Sequence, residues 1–293
     1  MRSVLFAPGN HARRMEKTLE VDCDAVIADL EDAVAESEKT SARAIVATWL
    51  QRPRGDRRAF VRVNALSTQW AFDDIAAVVV PGLDGIVLPK TERKGDLQVA
   101  DYLVGAQERA HGLPAGSIEI MPIVETAKGA ENLREISRAT ARVKRICFGS
   151  GDYTNDTGTA WTLDNPLTLH YRAELANASR AAGIEAPVDT VWPRLDDEAG
   201  LESEARTARA MGYQGKMTIH PKQLEIVNRI FSPTPEELAF ARKVCDAFDA
   251  AEAAGTSALV VDGVFVDYPV VYRARAVLRD AAKAGSAGGR FEG

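Results

Sequence analysis

The sequence predicts an α/β fold, a (β/α)8 TIM barrel with a small C-terminal helical and hairpin appendage. Short apolar runs rich in β-branched residues recur along the chain, and amphipathic helical stretches separate them. These runs are continuously apolar, which is typical of parallel strands buried on both faces. Eight such runs within about 220 residues match the strand number and length of a (β/α)8 barrel.

The eight candidate strands follow from the apolar runs in chain order. They span Ser3–Ala7, Ala25–Asp29, Ala59–Asn64, Gly85–Lys90, Ile118–Glu125, Arg145–Gly149, Pro187–Trp192 and Gly215–His220. Amphipathic stretches such as Asn132–Ala139 and Ala173–Ala182 lie between them. A doubly wound open sheet is the alternative. No G-x-G-x-x-G motif follows the first strand, which disfavours a dinucleotide-binding fold.

The pattern changes near residue 233. The segment SPTPEEL has the cap, proline and acidic first turn of a helix start, and an alanine-rich helix is expected to about Ala254. The segment ALVVDGVFVD then predicts a hairpin that turns at Asp262-Gly263, and a last helix begins near Pro269. We therefore predict a catalytic barrel over 1–232, an appendage over 233–284 and a flexible tail over 285–293.

Composition and charge narrow the class of protein. The chain has 36 Lys and Arg against 42 Asp and Glu, a net charge of −6, which disfavours nucleic acid and anionic membranes as partners. Three widely spaced cysteines indicate neither a disulfide framework nor a zinc site, and they fit a reducing compartment. The sequence shows no signal peptide and no apolar run near the roughly 18 residues of a membrane helix. We expect a cytoplasmic protein.

Polar side chains follow almost every predicted strand. In barrel enzymes the carboxyl ends of the strands form the mouth of the active site. The clearest case is VIADLEDAV, in which an apolar strand runs into Asp29, Glu31 and Asp32, like charges that need compensation. Solvent exposure alone explains a polar residue at the end of any one strand. Ionisable residues at the ends of most of the strands together indicate a functional site. The remaining strands end in or near Lys90, Glu125, Asp152, Asp189 and His220.

Glu125 and Asp152 are the candidate metal ligands. They follow adjacent strands, so their carboxylates can converge, and hard oxygen donors without nearby His or Cys suit Mg²⁺. The alternative is structural: Glu125 caps the helix that begins at Thr126-Ala127, and Asp152 stabilises the glycine-rich turn FGSGDY. Spacing alone does not separate the two interpretations.

Basic residues offer two places for an anion. Arg62 lies within an apolar strand, where it either pairs with a structural carboxylate or holds an anionic substrate group. Arg13, Arg14 and Lys17 cluster in the segment after the first strand and form either a phosphate site or a solvated helix face. The lone His220 is better explained by a hydrogen bond with the backbone than by a role as base.

A set of motifs extends in order along nearly the whole chain. The matching stretches are FAPGN, DAVIADLEDAV, FVRVNAL, IVLPKTE, PIVETAKGAENLREI, FGSGDYTNDTG, PVDTVW, GYQGKMTIHPKQL, FSPTPEEL and DGVFVDYPVVYRAR. Together they resemble the citrate lyase β-subunit group of the HpcH/HpaI aldolase family, which includes malyl-CoA and citramalyl-CoA lyases. The set is specific for the family and not for one substrate.

The resemblance implies a homotrimer or homohexamer in which the C-terminal appendage packs on a neighbouring subunit. It implies Mg²⁺ held by Glu125 and Asp152. It also implies catalytic and substrate-binding roles for Glu125 and for Arg62, the latter at the acyl and carboxylate oxygens. Asp267 matches an aspartate that a neighbouring chain brings over the site. The segment with Arg13, Arg14 and Lys17 matches the region that binds the CoA phosphates.

The reaction that the resemblance implies is reversible cleavage of a 3-hydroxy-3-carboxyacyl-CoA, such as malyl-CoA or citramalyl-CoA. The products are acetyl-CoA and a 2-oxo acid, glyoxylate or pyruvate. Mg²⁺ then lowers the pKa of the hydroxyl, Arg62 holds enolate charge, and Asp267 moves the proton at the acetyl carbon. Glu31 and Asp32 are expected to hydrogen-bond metal-bound waters and orient Glu125 or Asp152, and Asp29 to pair with Arg62.

Four alternatives stay open. A true citrate lyase β subunit cleaves a citryl group on an acyl-carrier subunit. Another group of relatives cleaves free hydroxy-oxo-diacids with a His base but lacks the C-terminal aspartate segment. A non-catalytic CoA-binding protein is the alternative outside enzymes, although such proteins usually lose ligands that are all present here. Condensation followed by thioester hydrolysis, as in malate synthase, is also compatible with these residues.

Overall fold

Eight parallel strands close into a barrel in chain order, with β8 paired to β1. The computed structural model describes residues 1–288, and it confirms the (β/α)8 barrel. The strands are β1 Ser3–Pro8, β2 Ala25–Asp29, β3 Arg58–Arg62, β4 Gly85–Leu88, β5 Glu119–Val124, β6 Cys147–Phe148, β7 Val188–Asp189 and β8 Gly215–Thr218.

Helices connect the strands. They are α1 Ala12–Lys17, α2 Lys39–Leu50, α3 Ala71–Val78, α4 Lys94–Ala110, α5 Ala127–Glu131, α6 Leu133–Ile136, α7 Ser150–Asp156, α8 Pro166–Ala182, α9 Glu198–Ala210, α10 Leu224–Phe231, α11 Pro235–Ala253 and α12 Tyr268–Gly288. Short 3₁₀ segments occupy Glu36–Glu38 and Pro221–Gln223. No helix within residues 1–288 is long and apolar enough to cross a membrane.

The barrel separates two apolar layers. In β2, Ile27 packs inside the barrel, whereas its neighbours Val26 and Ala28 pack in the layer that includes the surrounding helices. This alternation follows from the two-residue period of a strand. Because both faces are buried, every position is apolar until Asp29, which explains why the sequence run is continuous.

Strands β6 and β7 are shorter than the sequence predicts. Only Cys147 and Phe148 pair with β5, and only Cys147 pairs with β7. The ladder ends within the next two residues: Gly149 N–H still donates to the carbonyl of Val124, the last residue of β5, whereas Ser150 N–H donates to the Thr190 hydroxyl. The chain therefore turns into α7 directly after β6, because a side-chain acceptor replaces further strand pairing.

A second compact unit begins at Ser232, and the first comprises Met1–Phe231. Thr234 and Glu237 form a reciprocal capping box at the start of α11. Strands β9 Leu259–Val261 and β10 Val264–Val266 form the expected antiparallel hairpin. Asp262 and Gly263 both have positive φ, 49° and 80°, as a tight hairpin turn requires.

The described part of the chain ends at Gly288, the last residue given for α12. Of the segment expected to be a flexible tail, residues 285–288 continue α12, and residues 289–293 lie outside the described residues. The three cysteines, Cys23, Cys147 and Cys245, are buried and free.

A buried charged network corrects the assignment of Asp189 to the barrel mouth. Lys216 Nζ contacts Asp189 at 2.8 Å and Glu204 of α9 at 2.5 Å, and Arg172 of α8 donates to Asp189 at 2.9 Å. These partners come from the helices around β7 and β8, and Lys216 and Asp189 are fully buried. Strand alternation turns Asp189 away from the barrel interior, so it is a structural residue.

A second buried ion pair predicts a pH-dependent contribution to stability. Arg142 donates to both Glu108 oxygens at 2.6 Å, and the amides of Gly116 and Ile118 donate to the same carboxylate. Burial by itself raises the pKa of Glu108, but these donors outweigh it and hold the pKa at about 2. Because the folded pKa lies below the ordinary value of 4.5, the stabilisation is present above pH 4.5 and is lost as the pH falls towards 2.

We expect Glu108→Gln to lower the free energy of unfolding by about 3 kcal/mol at pH 7 and by much less at pH 3. Urea unfolding at both pH values measures the difference. Glu202→Gln is the matched control, since arginines also lower the pKa of Glu202 to about 2, but this carboxylate lies at the protein surface. Equal losses in the two variants would contradict the stabilising role of burial at Glu108.

Candidate active site

Asp29 and Arg62 form a buried ion pair at the carboxyl ends of β2 and β3. The two residues are directly paired in the parallel register. Arg62 Nε donates to Asp29 Oδ1 at 2.7 Å, and Nη2 donates to Oδ2 at 2.6 Å. The expected pairing of Asp29 with Arg62 is therefore confirmed.

Asp29 also shapes the loop that follows β2. Its two oxygens accept the amides of Glu31 and Ala33 at 2.9 and 3.2 Å. This arrangement turns the chain sharply and leaves Glu31 buried at the mouth. The spacing of the carboxylates in DLED thus has a local cause, because the first one organises the backbone that carries the others.

Glu31 and Asp32 face cations of the protein itself. Glu31 Oε2 lies 3.0 Å from Arg62 Nη1, and Glu31 Oε1 lies 2.5 Å from Lys90 Nζ. Asp32 is more exposed, at 3.7 Å from Arg62 and 3.8 Å from Lys90. Burial raises the pKa of Glu31 even though Arg62 and Lys90 oppose it. Arg62 and Lys90 therefore give the first compensation for the clustered charges.

Glu125 lies directly after β5 and is 4% exposed. Burial raises its pKa to about 8, with Glu31 and Asp152 adding to the rise and Arg62 opposing it. Its Oε1 accepts the amide of Lys90 at 2.7 Å. A Cβ at Gly149 would lie 2.5 Å from Glu125 Oε2, so glycine is required at that position. Glu125 is thus a buried carboxylate in surroundings that disfavour its negative charge.

The alternative that Glu125 caps α5 is wrong. The capping residue is Thr126, whose hydroxyl accepts the Gly129 amide at 3.1 Å. Glu125 is therefore left to face Lys90 and the acids of the mouth.

Asp152 lies in the first turn of α7, which follows β6, the neighbour of β5. Its side chain is 40% exposed, and Oδ2 lies 3.8 Å from Lys90 Nζ. Glu125 and Asp152 provide hard oxygen donors, one buried and one open to solvent. They fit Mg²⁺, which binds through one or two carboxylates and completes its shell with water and substrate oxygens. In keeping with so sparse a set, residues 1–288 contain no group of three or more His, Cys, Asp or Glu that could hold a metal.

Four further sequence candidates remain. Arg13, Arg14 and Lys17 are exposed on α1 and carry no ion pair within the described residues. Asp267 belongs to the second unit, where its side chain accepts the amide of Val270 in the first turn of α12. The roles that the resemblance gives to these residues stay predictions.

His220 is a structural cap, as the sequence interpretation favoured. Its Nδ1 accepts the amide of Lys222 at 3.2 Å. Lys90, in contrast, is predicted from the sequence only as a strand end, although its ammonium group contacts three acids of the cluster, as many as Arg62 contacts. Its position after Pro89 at the end of β4 gave no indication of these contacts.

A cavity of about 250 Å³ lies between the loops that follow β6 and β7. Its walls include Trp161, Leu163, Trp192 and Arg194. A Cβ at Gly151 would lie 3.0 Å from the Trp161 ring, so this indole packs against the residue before Asp152. One wall residue of the cavity therefore packs against the residue that precedes Asp152.

The fold and the cluster together define a (β/α)8-barrel enzyme with a site rich in carboxylates. The chain belongs to the HpcH/HpaI aldolase/citrate lyase family, whose model matches residues 2–221. It is an enzyme of the lyase class found in that family.

Curated relatives match over nearly the full length. The citrate lyase subunit beta of Leuconostoc mesenteroides subsp. cremoris is 36% identical, covering 95% of this chain and 92% of the relative. A (3S)-malyl-CoA thioesterase of Cereibacter sphaeroides (strain ATCC 17029 / ATH 2.4.9) is 37% identical, covering 96% and 94%. The identities are similar, so they do not choose between the two reactions.

Solved structures agree with the fold. Mycobacterium tuberculosis CitE, in complex with magnesium, acetoacetate and coenzyme A, is 30% identical with a TM-score of 0.77, covering 96% of this chain and 98% of that chain. A citrate lyase of Burkholderia xenovorans LB400 has a TM-score of 0.85 at 22% identity, covering 97% and 92%, and supports the fold alone.

Proposed function

We propose that the chain is a Mg²⁺-dependent carbon–carbon lyase that reversibly cleaves a 3-hydroxy-3-carboxyacyl-CoA. The substrates are malyl-CoA or citramalyl-CoA, and the products are acetyl-CoA and glyoxylate or pyruvate. The observation that carries the proposal is the buried carboxylate of Glu125 next to Asp152 at the barrel mouth. The magnesium and coenzyme A bound by Mycobacterium tuberculosis CitE support it.

Glu125 and Asp152 would hold the ion, which supplies a Lewis acid for the hydroxyl and carboxylate oxygens of the substrate. In cleavage, the hydroxyl group loses its proton to solvent, its oxygen becomes the keto oxygen of the 2-oxo acid, and the electron pair of the carbon–carbon bond moves to the α-carbon of the thioester. Arg62 stabilises the resulting enolate charge. Nη1 of Arg62 contacts Glu31 and Asp32 and makes neither of the two hydrogen bonds to Asp29, so it is the nitrogen from which a substrate oxygen can displace a carboxylate.

The second half of the reaction needs a proton at the acetyl carbon. We assign this role to Asp267 of a neighbouring subunit in a homotrimer or homohexamer. We assign the CoA phosphates to the exposed Arg13, Arg14 and Lys17 of α1, because these cations follow β1 and form no ion pair with a carboxylate within residues 1–288. Glu31 and Asp32 are assigned to waters of the ion, and the buried free cysteines suit a cytoplasmic protein.

A second candidate is the citrate lyase β-subunit reaction on a carrier-bound citryl group, with which the 36% identity to a citrate lyase subunit beta is equally compatible. The malyl-CoA thioesterase relatives add a third reaction, in which condensation is followed by hydrolysis of the thioester. A non-catalytic CoA-binding protein is disfavoured, because such a protein has no need for a buried Glu125 whose charge is costly.

The two candidates differ in the carrier of the acyl group. We expect citramalyl-CoA or malyl-CoA to be cleaved with kcat/KM at least tenfold above that of a citryl group on an acyl carrier protein. In the same assay, Asp267→Ala should bind acyl-CoA normally while kcat falls by about 10²- to 10⁴-fold. Cleavage of the carrier thioester alone would favour the citrate lyase reaction, and normal turnover of Asp267→Ala would refute its role.

A further inference from the structure

Lys90 has an unusual backbone conformation for its residue type. Its φ is 48°, in the left-handed region, which a residue with a long side chain seldom adopts. Two hydrogen bonds of the next residue hold this conformation: Thr91 N–H donates to the Ile123 carbonyl, and the Thr91 hydroxyl donates to the Leu88 carbonyl. Strained backbone of this kind concentrates at functional sites.

The left-handed turn brings both ends of Lys90 to the acidic cluster. Its amide donates to Glu125 Oε1 at 2.7 Å, and its ammonium group lies 2.5 Å from Glu31 Oε1. The same ammonium group is 3.8 Å from Asp32 and 3.8 Å from Asp152. One residue therefore contacts both candidate metal ligands, through its amide and through its side chain.

Carboxylates outnumber cations at the barrel mouth. Five carboxylates face Arg62 and Lys90, and the bidentate pair with Asp29 occupies two nitrogens of Arg62. Lys90 is the only cation that contacts Asp152 within the described residues. The ammonium group thus stands where a divalent cation would be attracted by the same acids.

We propose that Lys90 is a positioning residue and the internal counter-cation of this site. Its amide orients Glu125, and its ammonium group holds Glu31 and Asp152 near one another until a divalent cation binds. The proposal rests on the metal site of the proposed function. It goes further because it states that Lys90 competes with the ion and thereby lowers the affinity of the site for it. Two cations near the same carboxylates repel each other.

The test measures metal binding without substrate. Lys90→Met removes the charge, and we expect the Kd for Mn²⁺, measured from the EPR signal of free Mn²⁺, to fall about tenfold. The Tm in EDTA should also fall, and the rise in Tm on adding Mn²⁺ should exceed that of the wild type. Lys90→Arg keeps the charge and should leave the Kd within about twofold.

Two more variants make the test independent of folding defects. Lys243→Met is the matched control, since it removes an ion-paired lysine of the second unit and should leave Mn²⁺ binding unchanged. Lys90→Gly accepts the left-handed backbone without strain and should tighten binding as Lys90→Met does.

Unchanged or weaker Mn²⁺ binding in Lys90→Met and Lys90→Gly would overturn the counter-cation role alone. Failure of the wild type to bind Mn²⁺ would overturn both this role and the proposed metal site.

Discussion

Glu125→Gln is expected to abolish Mn²⁺ binding and to lower kcat by at least about 10³-fold while leaving the fold intact. The amide is close in shape to the carboxylate and can still accept the hydrogen bond from Lys90 N–H. It carries no charge, so it loses affinity for a divalent cation. The loss of activity therefore reports on the chemistry of the site and not on packing.

Stability separates this variant from an ordinary core mutation. Burial, Glu31 and Asp152 all disfavour the ionised form of Glu125, as its pKa of about 8 records. Removing the charge relieves that cost, so the Tm of Glu125→Gln in EDTA should equal or exceed that of the wild type. Retained Mn²⁺ binding with normal kcat would remove Glu125 from the metal site.

Arg62→Lys is expected to impair both stability and activity. A lysine cannot reproduce the two parallel hydrogen bonds to Asp29 and the contact with Glu31, so a buried carboxylate is left poorly paired. We expect the free energy of unfolding to fall by about 3 kcal/mol and kcat to fall by more than about 10²-fold. Chemical unfolding and steady-state kinetics on the same preparation measure the two effects.

Arg145→Lys is the matched control for this change. Arg145 is also buried and pairs with Glu119 at 2.7 Å and Glu185 at 2.8 Å, on the side of the barrel where β5 begins. Arg145→Lys should lose similar stability but keep its kcat. An equal loss of kcat in both variants would show that Arg62 acts through stability alone.

Hydrophobic pattern and local signals were sufficient to predict the fold. Continuous apolar runs identify strands buried on both faces, and β2 has the predicted bounds, Ala25–Asp29. The capping box at Thr234 and the Asp262-Gly263 turn are local devices, so the sequence shows them directly. Where partners are distant the bounds were wrong: of the amphipathic stretch predicted over Asn132–Ala139, only Leu133–Ile136 forms the helix α6.

The same reasoning predicts only some of the contacts in the site. The proximity of Glu125 and Asp152 follows from adjacent strands, and the pairing of Asp29 with Arg62 from their shared register. The direction of Asp189 depends on which face of a two-residue strand meets the helices, which composition does not reveal. Lys90 was missed because its role depends on a left-handed φ that no local residue preference predicts.

The central claim is that a divalent cation at the barrel mouth enables this chain to cleave a hydroxyacyl-CoA. The most direct measurement is release of acetyl-CoA and identification of the oxo acid formed from malyl-CoA, citramalyl-CoA and hydroxymethylglutaryl-CoA, with Mg²⁺ and with EDTA. We predict glyoxylate or pyruvate together with acetyl-CoA from malyl-CoA or citramalyl-CoA, only when Mg²⁺ is present. The account is contradicted if none of the three thioesters is cleaved, or if cleavage proceeds equally well in EDTA.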